Sequence, residues 1–196
     1  MDQLDARLEE QRAEAFRQAI EGPPVDHEPL KPERLWQEHE LWCAVWRNFM
    51  GALCGYAQVP EGHPWWGLDY RHKVLNPCQP EGDLSLQQAM DDFGAIPVWL
   101  AAGEDSDDRL CELGYQVQVH GGITFAGPLQ FEGSPWAWWL GCDFGHAGDA
   151  IDPEFANPHF RAHNQRMIEE FGDHVWTLDE AAGEVGRLAL AIYEAR

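Results

Sequence analysis

Two strand-like runs joined by a turn-rich connection lie in the middle of this chain, and they commit it to building a β-sheet. Tyr115-Gln116-Val117-Gln118-Val119 alternates large apolar with polar side chains, the period of a half-buried strand. Ile123-Thr124-Phe125 continues the run after Gly121-Gly122. Residues 127–135 carry turn residues, and residues 136–143 (WAWWLGCD) form the second run. Read as one hairpin over 115–126 and 136–143, with its turn centred near residue 131, the pattern puts His120 opposite Cys142 and one position from Asp143. A register shift of one residue preserves that proximity.

The flanking segments predict the rest of the architecture. Another strand begins near Leu53 (LCGYAQV) and ends at Pro60. At the C-terminus, Thr177 and Glu180 form a capping box ahead of an apolar face of Val185, Leu188, Ala189 and Ile192, which predicts a closing helix. A short helix is expected over 84–93, an acidic loop over 103–109 and a loop over 144–158. Residues 1–21 read as an amphipathic helix with Leu4, Leu8, Phe16 and Ile20 on one face, stopped by Gly22-Pro23-Pro24. After a Pro-containing linker, a second helix is expected over 33–50, with Leu35, Trp36, Trp42, Val45, Trp46 and Phe49 as its stripe. The sum is an α+β fold: an antiparallel sheet with packing helices in a core domain of residues 51–196, preceded by a helical N-terminal extension of residues 1–50. That extension is expected to dock a partner or make a homodimer.

Charge restricts the partners. Thirteen Lys and Arg against 34 Asp and Glu give a net charge of −21, and residues 79–156 hold 14 acidic residues against one basic, Arg109. Such a field repels phosphate backbones, which excludes direct nucleic-acid binding through a basic surface, and it attracts a basic protein surface. Acidity also serves solubility alone. No run approaches the ~18 apolar residues of a membrane span, and the charged N-terminus does not read as a secretion signal. Five cysteines without a C-x-x-C pair read as reduced thiols, which points to the cytoplasm. Common nucleotide-binding and hydrolase signatures are missing from the sequence.

The densest chemistry lies between His120 and Asp149. Asp143-Phe144-Gly145-His146-Ala147-Gly148-Asp149 sets two carboxylates on either side of a histidine at three-residue spacing, with glycines that permit sharp turns. His120, His146 and Asp149 are ligand types for a divalent metal such as Zn²⁺ or Mn²⁺. His120, His146 and Asp143 are equally a base with its orienting carboxylate. Gly121 and Gly122 offer backbone N–H groups to an anionic ligand, and Thr124 a hydroxyl. A plainer reading gives the same residues turn-capping roles. A second cluster, Glu61-Gly62-His63-Pro64-Trp65-Trp66-Gly67-Leu68-Asp69-Tyr70, adds His63 and Asp69 if its loop folds over the first, and otherwise reads as packing. Cys142 beside His120 or His146 is a further nucleophilic pairing, though a cysteine on an apolar strand is more often inert.

The blocks LCGYAQVPEGHPWWGLDY, VHGGITFAG and WWLGCDFGHAGD, in that order, resemble a family of small phage and prophage proteins. Its members carry GY-x-x-V-P-x-G-HP, VHGG-[LI]-T and G-x-D-x-x-HAGD segments. The resemblance covers roughly residues 51–195. It implies a bacteriophage origin and an accessory role in the host cytoplasm. It also implies recurring polar positions at His63, Asp69, His120, Gly121, Gly122, Thr124, Asp143, His146, Gly148 and Asp149. Two functions follow as expectations. One is a His/Asp/Gly pocket that binds a metal or a small anionic, nucleotide-like ligand, with hydrolysis of that ligand as an open alternative. The other is an acidic nucleic-acid mimic that inhibits a host defence complex, as an anti-CRISPR does.

Overall fold

A computed structural model describes residues 16–75 and 110–195, apart from Gln18 and Val25. Its centre is a five-stranded antiparallel sheet in the order β1-β2-β3-β7-β6. The strands are β1 (Arg34–Glu38), β2 (Leu41–Arg47), β3 (Leu53–Val59), β6 (Phe125–Leu129) and β7 (Ala137–Asp143). Between β3 and β6 come β4 (Lys73–Leu75) and β5 (Leu110–Glu112), which pair with each other, and the one-turn helix α1 (Leu113–Gln116). After β7 follow β8 (Asp149–Ala150), helix α2 (Arg161–Arg166) running into a wider π-helical turn (Met167–Phe171), β9 (His174–Val175) and helix α3 (Leu178–Glu194). The α+β class, the strand at 53–59, the strand near 136–143 and the closing helix are all as the sequence predicts.

The sheet is apolar on both faces. Leu41, Cys43 and Val45 of β2, Ala57 and Val59 of β3, and Trp138, Leu140 and Cys142 of β7 pack beneath the α3 stripe of Ala181, Val185, Leu188, Ala189 and Ile192. Each fully buried aliphatic side chain in that layer contributes about 1.5–3 kcal/mol. The helix comes in close because β3 has a glycine beneath it: a Cβ on Gly55 would sit 2.3 Å from Val185 Cγ2. On the opposite face Ala44, Cys54, Tyr56, Phe131 and Trp139 form a second buried layer.

Two expectations are corrected. The helix predicted over 33–50 is the β1–β2 hairpin, with Arg34 opposite Val45 and Glu38 opposite Leu41. It continues into β3, Cys43 facing Ala57, so a division at residue 50 runs between two paired strands. The two-helix extension is therefore not formed. Phe16, Arg17 and residues 19–21 are helical, and the remainder of the first predicted helix, at 1–15, lies outside the described residues. So do the helix at 84–93 and the acidic loop at 103–109. The second correction concerns the 115–126 run. Only Phe125–Leu129 pairs with β7, with Phe125 opposite Gly141 and Leu129 opposite Ala137, which centres the connection on Gly133. Upstream, residues 113–116 are helical and 117–124 form turns. Val117 and Val119 are buried and Gln118 exposed, so the alternation describes which side chains enter the core without describing a strand.

Candidate functional site

The site is assembled where α3 begins. Thr177 accepts a hydrogen bond from the Glu180 N–H, and Glu180 accepts from the Thr177 N–H at 2.8 Å, so the predicted capping box is formed. This fixes the entry of the chain, and β9 lies parallel to β8, with Asp149 opposite His174. Trp176, between β9 and the cap, thereby reaches Asp149: its indole Nε1–H donates to Oδ1 at 2.8 Å.

Asp149 is the hub. Its Oδ2 accepts from His120 Nε2 at 2.7 Å and from the His146 backbone N–H at 2.9 Å. Its side chain is only 3 % exposed. Burial alone would push this carboxyl up. The donors from Trp176, His120 and the His146 backbone outweigh that and hold it below the ordinary carboxylate range, so it is ionised near neutral pH.

His120 is held from two directions. Its backbone N–H donates to Glu184 Oε2 at 3.0 Å. Its ring lies against Trp176 at 4.6 Å and nearly parallel to Phe144 at 6.1 Å. Because the ionised carboxylate only accepts, Nε2 carries a proton, and in the neutral form of the ring Nδ1 carries the lone pair. Nδ1 has no hydrogen-bond partner among the described residues, and the side chain is 31 % exposed. A buried carboxylate that fixes one imidazole nitrogen while the other stays available is the arrangement by which a histidine is oriented as a general base.

His146 lies beside it, with ring centroids 5.6 Å apart. Its Nε2 is buried without a hydrogen-bond partner, and Asp143 Oδ1, at 3.6 Å, is beyond hydrogen-bond reach. The ring occupies the space a side chain at residue 121 would need: a Cβ on Gly121 would fall 1.9 Å from His146 Nε2. Gly121 and Gly122 also have φ of +67° and +76°, a region that favours glycine. These glycines turn the chain and let His120 and His146 share one small space. The N–H of Gly122 is already given to Val119 O, so that one of the two glycine donors is not aimed at an anion. Asp143 accepts from the Gly145 N–H and flanks the group.

His120 does lie beside the 142–146 segment that the hairpin reading gave it, against the rings of Phe144 and His146, but its hydrogen bond is to Asp149, outside that segment, and it is reached through a turn instead of a strand register. The metal reading fits poorly. Among the described residues no group of three or more His, Cys, Asp or Glu side chains is placed to hold an ion. Both Asp149 oxygens already accept hydrogen bonds, and the His120 nitrogen facing it is protonated. Cys142 is 2 % exposed, and its thiol is pushed up to about 12 by burial and by the charges of Glu184 and Asp143, which keeps it protonated and inert.

His63 is engaged elsewhere. His63 is 8 % exposed; its Nδ1 accepts from the Trp65 N–H at 3.0 Å and its Nε2 donates to Ile192 O at 2.8 Å. It ties the 60–70 loop to α3 eight residues beyond Glu184, about 12 Å along the helix. Asp69 accepts from the Arg71 N–H within its own turn. Two residues that sequence reasoning passed over matter more: Trp176 and Glu184. Glu184 had a legible signal, a carboxylate set inside the apolar stripe of α3. Trp176 had none beyond its place next to the capping box.

Comparison with protein-family models, with curated proteins and with solved structures finds no match for this chain.

Proposed function

We propose that this protein is a phage-type accessory factor that binds a small molecule at His120, with His120 as hydrogen-bond and proton acceptor and Asp149 as the carboxylate that orients it. The observation that carries the reading is the 2.7 Å bond from His120 Nε2 to a carboxylate that is 3 % exposed, while the imidazole itself stays 31 % exposed. Burying an ionised carboxylate costs several kcal/mol unless it is hydrogen-bonded; three donors meet that need here, and their effect is to set one tautomer of one accessible ring. A ligand with an O–H or N–H suits Nδ1, and activation of a water for hydrolysis is the chemistry this pair supports. The carboxylates of Asp143 and Asp149 weigh against a bare phosphate, so within nucleotide-like molecules the base or ribose is the better candidate for contact with His120.

The test is a thermal-stability and NMR titration of wild type and His120→Ala with the common nucleosides, their monophosphates and inorganic phosphate. At least one nucleoside-type ligand is expected to stabilise wild type and perturb the His120 and His146 ring signals, and the effect is expected to vanish in His120→Ala. Identical behaviour of both proteins toward every ligand would remove the proposal.

A second reading rests on the −21 charge and needs no histidine. An acidic body of this kind docks on a basic channel built for nucleic acid, with rapid association that weakens with salt. Capture of a nucleic-acid-binding host protein at low salt, released at high salt and unchanged by His120→Ala, would favour it over the small-molecule site.

A further inference from the structure

The stripe that seats α3 on the sheet contains one residue that does not belong there by hydropathy. Ala181, Val185, Leu188, Ala189 and Ile192 are fully buried, and Glu184, on the same face, is 7 % exposed. A carboxylate is among the costliest side chains to place in such a row, and the cost is met only where it is paired and hydrogen-bonded. Arg187, one turn along, pairs with Glu184, which offsets part of the charge. The remaining bond of the carboxylate goes out of the helix to the backbone N–H of His120, 64 residues away in sequence. That N–H sits at the start of the Gly121-Gly122 turn, where the chain has left regular structure and no strand partner fixes it.

The same helix holds the other half of the pair. Trp176, which enters α3 through the Thr177 cap, donates to Asp149 Oδ1. One end of α3 therefore grips the carboxylate of the dyad through an indole, and the second turn grips the histidine through its main chain. We infer that Glu184 is a positioning residue: it fixes the backbone of His120 so that the ring meets Asp149, and it is retained at the expense of core packing for that purpose. This inference rests on the His120–Asp149 reading of the site, and its test does not depend on any ligand.

The experiment follows two protons of His120 by ¹⁵N NMR in full-length protein: the backbone amide, and the Nε2–H that Asp149 holds. Three variants are compared with wild type by exchange rate and by chemical denaturation. In Glu184→Leu the fold is retained, the apolar side chain offsetting part of what the unpaired His120 N–H costs, while both His120 protons exchange at least about tenfold faster than the change in global stability accounts for, the size expected when a hydrogen bond to a charged acceptor is lost. Glu184→Gln keeps an acceptor oxygen, and both protons stay within about threefold of wild type. Leu188→Ala lowers stability by leaving a cavity one turn away but leaves the His120 protons protected to the level its lower global stability allows. Should Glu184→Leu prove poorly folded, Glu184→Met replaces it with a more adaptable side chain. Unchanged His120 protons in Glu184→Leu or Glu184→Met would overturn the inference, as would equal loosening in Leu188→Ala after correction for global stability. A normal Glu184 result together with no ligand binding in any assay would instead leave the positioning role standing and remove the proposed function.

Discussion

The loop around residues 60–70 and the segment from His120 to Asp149 each present a histidine among glycines and aromatic rings, and they use it in opposite ways. His63 has both ring nitrogens engaged by the backbone, one by Trp65 and one by Ile192, and is buried. His120 has one nitrogen engaged by a carboxylate and the other unengaged among the described residues. His146, beside it, has a buried Nε2 with no hydrogen-bond partner among the described residues. The role of each ring is decided by what its second nitrogen meets, and a motif alone does not record that. The contrast has energetic consequences that can be ranked.

The largest effect is expected at His63. His63→Ala removes a buried ring, leaves a cavity and strips the Trp65 N–H and the Ile192 carbonyl of their partners. About 3 kcal/mol of stability should be lost in chemical denaturation, against about 1 kcal/mol for His120→Ala, whose ring is partly exposed. Equal losses at the two positions would mean that the two loops do not differ as described.

Next comes Gly121. Both Gly121 and Gly148 have positive φ, +67° and +94°, but a Cβ on Gly148 meets nothing within 4 Å, whereas one on Gly121 overlaps the His146 ring. Gly148→Ala should cost about 1 kcal/mol from backbone strain alone. Gly121→Ala should cost about 2–3 kcal/mol, with displaced His146 ring signals, because strain and overlap add. A Gly121→Ala protein no less stable than Gly148→Ala would separate His146 from Gly121.

The reach of the sequence can be judged against the same residues. The capping box at Thr177 and the apolar face of α3 are local signals, and they read correctly. The strand at 53–59 reads correctly because Pro60 and the loop after it punctuate it. The β1–β2 hairpin was hidden for two reasons. Its turn residues, His39 and Glu40, have φ of +50° and +64° without any glycine or asparagine to announce it. Trp42, Ala44 and Trp46 face one buried layer while Leu41, Cys43 and Val45 face the other, so the period-two signal that marks a half-buried strand was erased. At 115–119 the period was present and the strand was not. Within the site, His120, His146, Asp143 and Asp149 were visible as residue types, but the pairing that matters, His120 with Asp149, comes from the β8–β9 contact and from Glu184, both long-range. For His63 the sequence left packing and site membership open, because no local feature reveals the carbonyl of Ile192.

A smaller effect, but a more diagnostic one, is expected at Asp149. Its carboxyl is held below the ordinary range in the folded protein, so its contribution is present above the unfolded value of about 4 and is lost as pH falls through the folded value. Asp149→Asn puts an amide where three donors converge, and one of them must face an N–H₂. The loss at pH 6–7 should be about 1.5–2 kcal/mol, and the gap between the two proteins should narrow as pH is taken below about 4. Denaturation curves from pH 7 to pH 3 measure this. A gap that widens toward acid would reverse the assigned direction.

The smallest effect should come from His146, although it lies nearest the turn that defines the site. Its Nε2 is buried without a hydrogen bond, so the folded protein bears a desolvation cost there that His146→Ala removes. Against this gain stands the loss of ring contact with His120 and of packing over Gly121. The bond that ties this residue to Asp149 comes from its backbone N–H and survives the substitution. The two terms are of similar size and opposite sign, and the net change should lie within about 0.5 kcal/mol of wild type. A loss of 2 kcal/mol or more would show that the imidazole has a partner in solution, with Asp143, 3.6 Å away, as the first candidate. The same measurement on Asp143→Ala, which removes that partner and leaves the ring in place, separates this explanation from simple packing.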